Sequence, residues 1–390
     1  METTNSEPLF IVGIGASAGG LAPLKAFVHS LPAASGMAYI IIQHLDPNHE
    51  SMLSDILDRE SIMPVSDAKD GQPVAPDNVY VIPPNTDLEI QDGVIRLGQP
   101  GNTHGTRKNI DRFFRSLAAE CGANCAGIVL SGSGGDGTAG LRAIKASGGL
   151  TLAQDPSEAE HPSMPETALQ ANVVDRSVPV AEMHGLLKQY AEHPLARGED
   201  SPHPTLKEAE TPEESLNDIA AILKTHEGFE LNQYKPTTVL RRIARRMSLT
   251  DTNSYSTYLQ LLRENREERR QLTKELLINV TDFFRDPDAF EILEQQVIPR
   301  ILESLAPDED IRIWIAGCAS GEEAYSIAIL FMEAVSKARR QHHIRIFATD
   351  IDEYAIKIAR TAKYPDSITA EVPAKYLEKY FTKVENDHYY

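Results

Sequence analysis

Cysteine is scarce in this chain of 390 residues, which has only Cys121, Cys125 and Cys318. Three thiols cannot build a disulfide framework, and so low a count suits a reducing compartment. Cys121 and Cys125 have the spacing of half a metal site, but no second ligand pair follows. Buried or incidental thiols are therefore expected, and no metal. Positive charge is also short: 38 Lys and Arg stand against 57 Asp and Glu, a net charge of -19. That excludes a general nucleic-acid-binding surface and makes any local basic stretch more informative. No apolar run approaches the roughly 18 residues that span a bilayer. The opening Met1-Glu-Thr-Thr-Asn-Ser-Glu-Pro8 is acidic and polar, unlike a secretory leader. The expectation is a cytoplasmic protein without membrane insertion. Internal repeats are absent as well.

What the sequence does contain is alternation. Apolar runs at 10–14, 38–43, 79–82, 127–130 and 150–153 read as strands, each ending in turn residues. Helical periodicity lies between several of them, at 110–121 and 138–147. The fold class this predicts is α/β, a doubly wound and mainly parallel sheet. Residues 89–97 read as a hairpin with an Asp-Gly turn. Composition changes at 192–214, where proline and polar residues without apolar period mark a linker. Residues 215–279 follow a 3.6-residue period and predict a small all-α domain. Near Asp310 a second α/β pattern begins, with strands at 311–316 and 344–348 around a helix at 322–335.

Three polar residues fall at predicted strand ends: Ser17, His44 and Asp136. In a parallel sheet these ends share one edge, where open α/β sheets bind ligands. A serine hydroxyl needs a base to take its proton, and the base needs an acid to fix its tautomer. Ser17 lies in Gly13-Ile-Gly-Ala-Ser17-Ala-Gly-Gly20, a glycine turn running into a helix, whose N-terminus favours developing negative charge. The glycines at 132, 134, 135 and 137 leave backbone N–H groups free to approach a reacting centre. The same letters admit other readings. Gly13-x-Gly15-x-x-Ala18 fits a loose dinucleotide fingerprint, Asp46 and His49 beside His44 allow a metal, and Asp136 alone could cap the helix that follows it.

The motifs Gly-Ile-Gly-Ala-Ser-Ala-Gly-Gly, Gln43-His44, Tyr80-Val-Ile-Pro-Pro84, Ser131-Gly-Ser-Gly-Gly-Asp-Gly137 and Gln154-Asp-Pro…Pro162-Ser-Met-Pro165 occur in that order. Over about residues 9–185 the chain resembles chemotaxis protein-glutamate methylesterases of the CheB type. The resemblance implies hydrolysis of glutamyl γ-methyl esters on chemoreceptors, with glutamine deamidation as an additional activity and no cofactor. It assigns Ser17 as nucleophile, His44 as base, Asp136 as the residue orienting His44 and the Ser133 N–H as an oxyanion donor. Ser133 stands where the family usually has methionine, a change that a backbone donor tolerates. The family also carries an N-terminal phosphoacceptor domain. Here the catalytic strand starts about ten residues from Met1, so control by phosphorylation in cis is not expected.

The second half holds the one basic concentration, Tyr234-Lys-Pro-Thr-Thr-Val-Leu-Arg-Arg-Ile-Ala-Arg-Arg-Met247. Arg241 and Arg245, like Arg242 and Arg246, are four apart and share a helical face. That strip is expected either to dock on an acidic helix of a partner or the esterase's own partner, or to be a solvated face. Asn279-Val-Thr-Asp-Phe-Phe-Arg285-Asp, Ile315-Ala-Gly-Cys-Ala-Ser-Gly-Glu-Glu-Ala-Tyr-Ser-Ile-Ala328 and Ala348-Thr-Asp-Ile-Asp352 resemble chemotaxis receptor methyltransferases of the CheR type. This implies a Rossmann-like S-adenosylmethionine domain. By resemblance Asn279, Thr281 and Arg285 line the cofactor site, one of Glu322 and Glu323 holds the methionyl ammonium, and Asp350 holds ribose hydroxyls. Further family strands, an Asn-Leu turn and a Cys-Arg-Asn segment do not follow, so this half is expected to be incomplete. The expected organisation is a methylesterase domain at 1–191, a linker at 192–214, an all-α domain at 215–279 and a partial methyltransferase domain at 280–390. The expected partner is a methyl-accepting chemoreceptor or related signalling protein, met at receptor arrays. The competing reading is a non-catalytic or methyltransferase-only scaffold.

Overall fold

The computed structural model describes residues 8–44, 52–99, 108–193, 212–231, 234–277, 281–306, 309–338, 342–365, 368–369, 371–384 and 388–390. The chain forms two compact units, Met1–Ile278 and Asn279–Tyr390. The metal reading at Asp46 and His49, the cofactor residue Asn279 and most of the linker lie outside the described residues.

In the first unit the elements are β1 (Phe10–Ala16), α1 (Leu21–His29), β2 (Met37–Gln43), α2 (Leu53–Asp58), β3 (Val65–Asp67), β4 (Asn78–Val81), β5 (Asp87–Gln91), β6 (Val94–Gly98), α3 (Asn109–Cys121), β7 (Cys125–Val129), α4 (Thr138–Ser147), β8 (Leu150–Gln154), α5 (Ser163–Gln170), β9 (Arg176–Val178) and α6 (Val180–Glu192). Seven strands make one sheet in the order β3-β4-β2-β1-β7-β8-β9, every pair parallel. β5 and β6 form the separate antiparallel hairpin. Alternation along the strands sends Val12, Ile14, Tyr39 and Ile41 against α1, α2 and α6. Ile11, Ile40 and Ile42 face α3, α4 and α5 on the other side. Burial on both faces is what makes these strands read as continuous apolar runs.

Gly13 and Gly15 have a packing role. A Cβ at Gly13 would sit 2.7 Å from the Phe113 ring, and one at Gly15 would sit 2.4 Å from Ile110 Cγ2. These glycines let α3 lie directly on β1. That steric need accounts for them without a dinucleotide, and it brings the first turn of α3 to the sheet's carboxyl edge.

The same unit continues with α7 (Pro212–Glu227), α8 (Pro236–Leu249), α9 (Tyr255–Glu264) and α10 (Arg266–Leu276). Their apolar faces close on Leu223, Ile243, Tyr258, Leu262 and Leu272. Ser254 caps α9 by accepting the Thr257 N–H, and Asn265 caps α10 by accepting that of Glu268. In the second unit, α11 (Pro287–Ile292) and α12 (Ile298–Ser304) precede β10 (Ile311–Ala316), α13 (Glu322–Lys337), β11 (Ile344–Thr349) and α14 (Glu353–Thr361). β10 and β11 pair in parallel. Phe283, Ile298, Ile329, Phe331, Tyr364 and Tyr376 form a core of their own.

Candidate active sites

β2, β1 and β7 are neighbours in the centre of the sheet, and the chain leaves each at the same edge. Ser17 follows β1, His44 follows β2, and Asp136 lies in the loop after β7. The three converge: Ser17 Oγ is 3.2 Å from His44 Nδ1, and His44 Nε2 is 2.9 Å from Asp136 Oδ2. Asp136 is nearly buried, while the His44 side chain is 23% exposed and so open to substrate. With the proton on Nε2 donated to Asp136, Nδ1 is left to accept from the serine hydroxyl. The arrangement can thus move a proton off Ser17 and return it to a leaving group. Asp136 is itself fixed by backbone donors. Its oxygens accept the N–H groups of Ile110, Asp111 and Gly137.

The turn around Ser17 is tightly packed. The Ser17 N–H donates to Ser131 O, and the Gly20 N–H to Ser17 O. Ser131 Oγ donates to Ala18 O and accepts the His161 N–H. Gly132 lies against Ser17: a Cβ there would be 2.0 Å from Met164 Sδ and 2.9 Å from Ser17 Cβ. Ser133 is exposed, and among the described residues its N–H has no acceptor. The Ala18 N–H has none either. It follows Ser17 directly, where a nucleophile turn supplies an oxyanion donor. The sequence reading did not name Ala18 as a candidate donor, although its position after the serine was the available signal.

In the second unit the glycine turn between β10 and α13 uses positive φ at Gly317 (74°), Ala319 (45°) and Gly321 (101°). Asp350, just past β11, ties this turn to the sheet by accepting the Ala319 N–H through Oδ2 and the Asp352 N–H through Oδ1. Beside the turn lies a cavity of about 550 Å³ lined by Cys318, Gly321, Tyr325, Thr349, Asp350 and Ile356, among others. Glu322 is buried and accepts from Ser320 Oγ, whereas Glu323 is exposed. Thr281 is half-buried and Arg285 exposed. Among the described residues, Asp350 alone of the expected cofactor contacts lines this cavity.

Family comparison covers nearly the whole length. CheB methylesterase matches residues 12–187, the all-alpha domain of CheR methyltransferase matches 214–277, and its SAM binding domain matches 279–390. The chain joins a CheB methylesterase domain to the two CheR domains. An uncharacterized 104.1 kDa protein of Rhodobacter capsulatus is 35% identical over 347 residues, covering 85% of this chain and 36% of that protein. A protein-glutamate methylesterase/protein-glutamine glutaminase of Pseudomonas aeruginosa is 35% identical over 185 residues, 46% of this chain and 53% of that enzyme. The chain therefore spans about half the length of that enzyme, and less of the first relative. The crystal structure of the Thermotoga maritima CheB methylesterase catalytic domain aligns at 26% identity with a TM-score of 0.44, over 46% of this chain and 98% of that one.

The arginine strip of the CheR all-alpha domain corrects the sequence reading. It faces inward, onto the CheB domain. Arg245 pairs with Asp175, and with Glu275 at 2.8 Å, and donates twice to Gly149 O. Arg242 donates to Lys145 O and Ala146 O at the end of α4 and to Glu275. Arg246 makes a bidentate pair with Glu268. Arg242 and Arg245 are buried, and Arg246 is mostly so. These three are not available to an outside partner, and only Arg241 is exposed. Burial alone would push the Asp175 carboxyl up, but Arg245 and Lys145 hold it well below the usual range. Burial likewise raises the Cys125 thiol far above its ordinary value, in keeping with an inert core residue.

Proposed function

We propose that the CheB domain hydrolyses glutamyl γ-methyl esters of a methyl-accepting receptor, by way of a serine acyl-enzyme. The observation that carries this is the continuous relay from Ser17 through His44 to Asp136 at the open sheet edge. His44 Nδ1 takes the Ser17 proton as Oγ attacks the ester carbonyl. The Ser133 and Ala18 N–H groups face the oxyanion, and the proton passes from His44 to departing methanol. Water, deprotonated by His44, then releases glutamate and restores Ser17. A glutaminyl side chain would react along the same path with ammonia as leaving group, in line with the double name of the Pseudomonas enzyme.

The CheR half is read as binding S-adenosylmethionine, which supplies a methyl group when bound. The glycine turn ahead of α13 leaves room for the cofactor beside the backbone. Asp350 keeps acceptor capacity for ribose hydroxyls after its two backbone bonds. Thr281, Arg285, Asn279 and one of Glu322 and Glu323 are the remaining contacts this reading assigns. Among the described residues no helix is long and apolar enough to cross a membrane. The reading places the protein at the cytoplasmic side of its receptor.

Methanol release from methylated receptor tests the esterase. Ser17→Ala is expected to lower the rate by at least about a thousandfold with the fold intact. Release that survives Ser17→Ala sets Ser17 aside as the nucleophile, and a wild type that releases none from any methylated receptor offered sets this function aside in favour of a scaffold.

A further inference from the structure

We propose that Asp111 is a positioning residue for the Ser17–His44–Asp136 relay, locking α3 to α4 so that the Asp136 carboxylate stays on His44. The inference rests on the esterase reading above. Its basis is an exchange of helix caps. Neither helix is capped by its own N-cap residue: Lys108 ahead of α3 and Gly137 ahead of α4 make no side-chain cap bond. Asp136, in the loop leading to α4, instead accepts the Ile110 and Asp111 N–H groups in the first turn of α3, at 3.1 and 3.0 Å. Asp111, in that turn of α3, accepts the Gly140 N–H in the first turn of α4 at 2.7 Å. Each helix start is held by a carboxylate belonging to the other. The contact has no slack: a Cβ on Gly140 would lie 2.4 Å from Phe114 Cβ and 3.1 Å from Asp111 Cα. A shift of α4 against α3 therefore moves Asp136 relative to His44.

Asp111 is buried. Burial first, and the Asp136 charge second, push its carboxyl up to about 7, while the Gly140 N–H and the charges of Lys108 and Arg115 pull it down. Below that range Asp111 is neutral. Above it, a second negative charge stands behind Asp136 and favours the imidazolium that His44 becomes in the transition state. Asp111 thus holds the relay in place and adds a limb to its pH dependence near neutrality.

The test is the rate at which a fluorophosphonate labels Ser17 in the full chain, from about pH 5.5 to 9, for wild type, Asp111→Asn, Asp111→Ala and Ser17→Ala. Asp111→Ala orphans the Gly140 N–H and should slow labelling about tenfold or more at every pH. Asp111→Asn keeps an acceptor but cannot ionise. It should label within about threefold of wild type near pH 6 and fall progressively behind it above pH 7. Circular dichroism checks that both variants are folded. An Asp111→Ala protein that labels like wild type overturns the proposal, as does a folded Asp111→Asn protein as slow as Asp111→Ala. Failure of the underlying reading looks different: wild type is then unlabelled, or Ser17→Ala is labelled equally, and both ideas fall together.

Discussion

At the scale of single residues the candidate site around Ser17 depends as much on missing side chains as on present ones. Gly15 admits Ile110 against β1, and the Ile110 N–H in turn holds Asp136. Gly132 admits Met164 and touches Ser17. Gly132→Ala puts a methyl where Met164 Sδ and Ser17 Cβ already are, so one of them must move. The expected result is a stability loss of about 1–3 kcal/mol by urea unfolding. A fall in kcat should exceed any change in KM, because the displaced group is the reacting one. Unchanged kcat would mean that Met164 alone gives way. The sequence nominated Ser17 and His44 because each directly follows an apolar run, and Asp136 because it closes the glycine-rich loop after another. It did not nominate Asp111. In sequence it is an ordinary acid in the first turn of an amphipathic helix, and its partner Gly140 becomes visible only once α3 and α4 cross.

At the scale of elements, the long central strands and the helices between them were legible, because burial on both faces leaves an apolar run. The edge strands β3 and β9 were not, since each has three residues, most of them partly or fully exposed. The arginine strip misled for a related reason. A cluster of positive charge reads as a surface until its counterions are found. Those of Arg245 lie 70 and 30 residues away, at Asp175 and Glu275. Removing one member of such a buried pair strands the other, which costs about 3–5 kcal/mol. Arg245→Ala is therefore expected to destabilise the whole of the first unit, CheB sheet included, and not the all-alpha domain alone. Hydrogen exchange at Gly149–Thr151 and along α8 would show it as loss of protection in both places. The Asp175 carboxyl is held low in the folded state. The stability it contributes is thus complete above its unfolded pKa of about 4 and is lost as pH falls toward its folded value. Loss of protection confined to α8 would mean that the arginines only trim the all-alpha domain.

For the whole molecule, the decisive feature is that the two units have separate cores and that the chain's single tryptophan belongs to the second of them. Trp314 sits on β10, 73% exposed, with its indole N–H donated to Thr349 Oγ1 on β11. Its fluorescence thus reports the SAM binding domain, while far-ultraviolet circular dichroism is weighted toward the larger first unit. Two units with their own cores should not melt as one, so the tryptophan transition is expected to separate from the circular dichroism transition. S-adenosylmethionine then becomes a test of linkage. A ligand that binds only the folded second unit stabilises it by about 2.7 kcal/mol at a hundred times its Kd. The tryptophan transition should move up while that of the first unit stays where it was. If both transitions move together, the two units unfold as one cooperative body. If neither moves, this chain does not bind the cofactor at the concentration used.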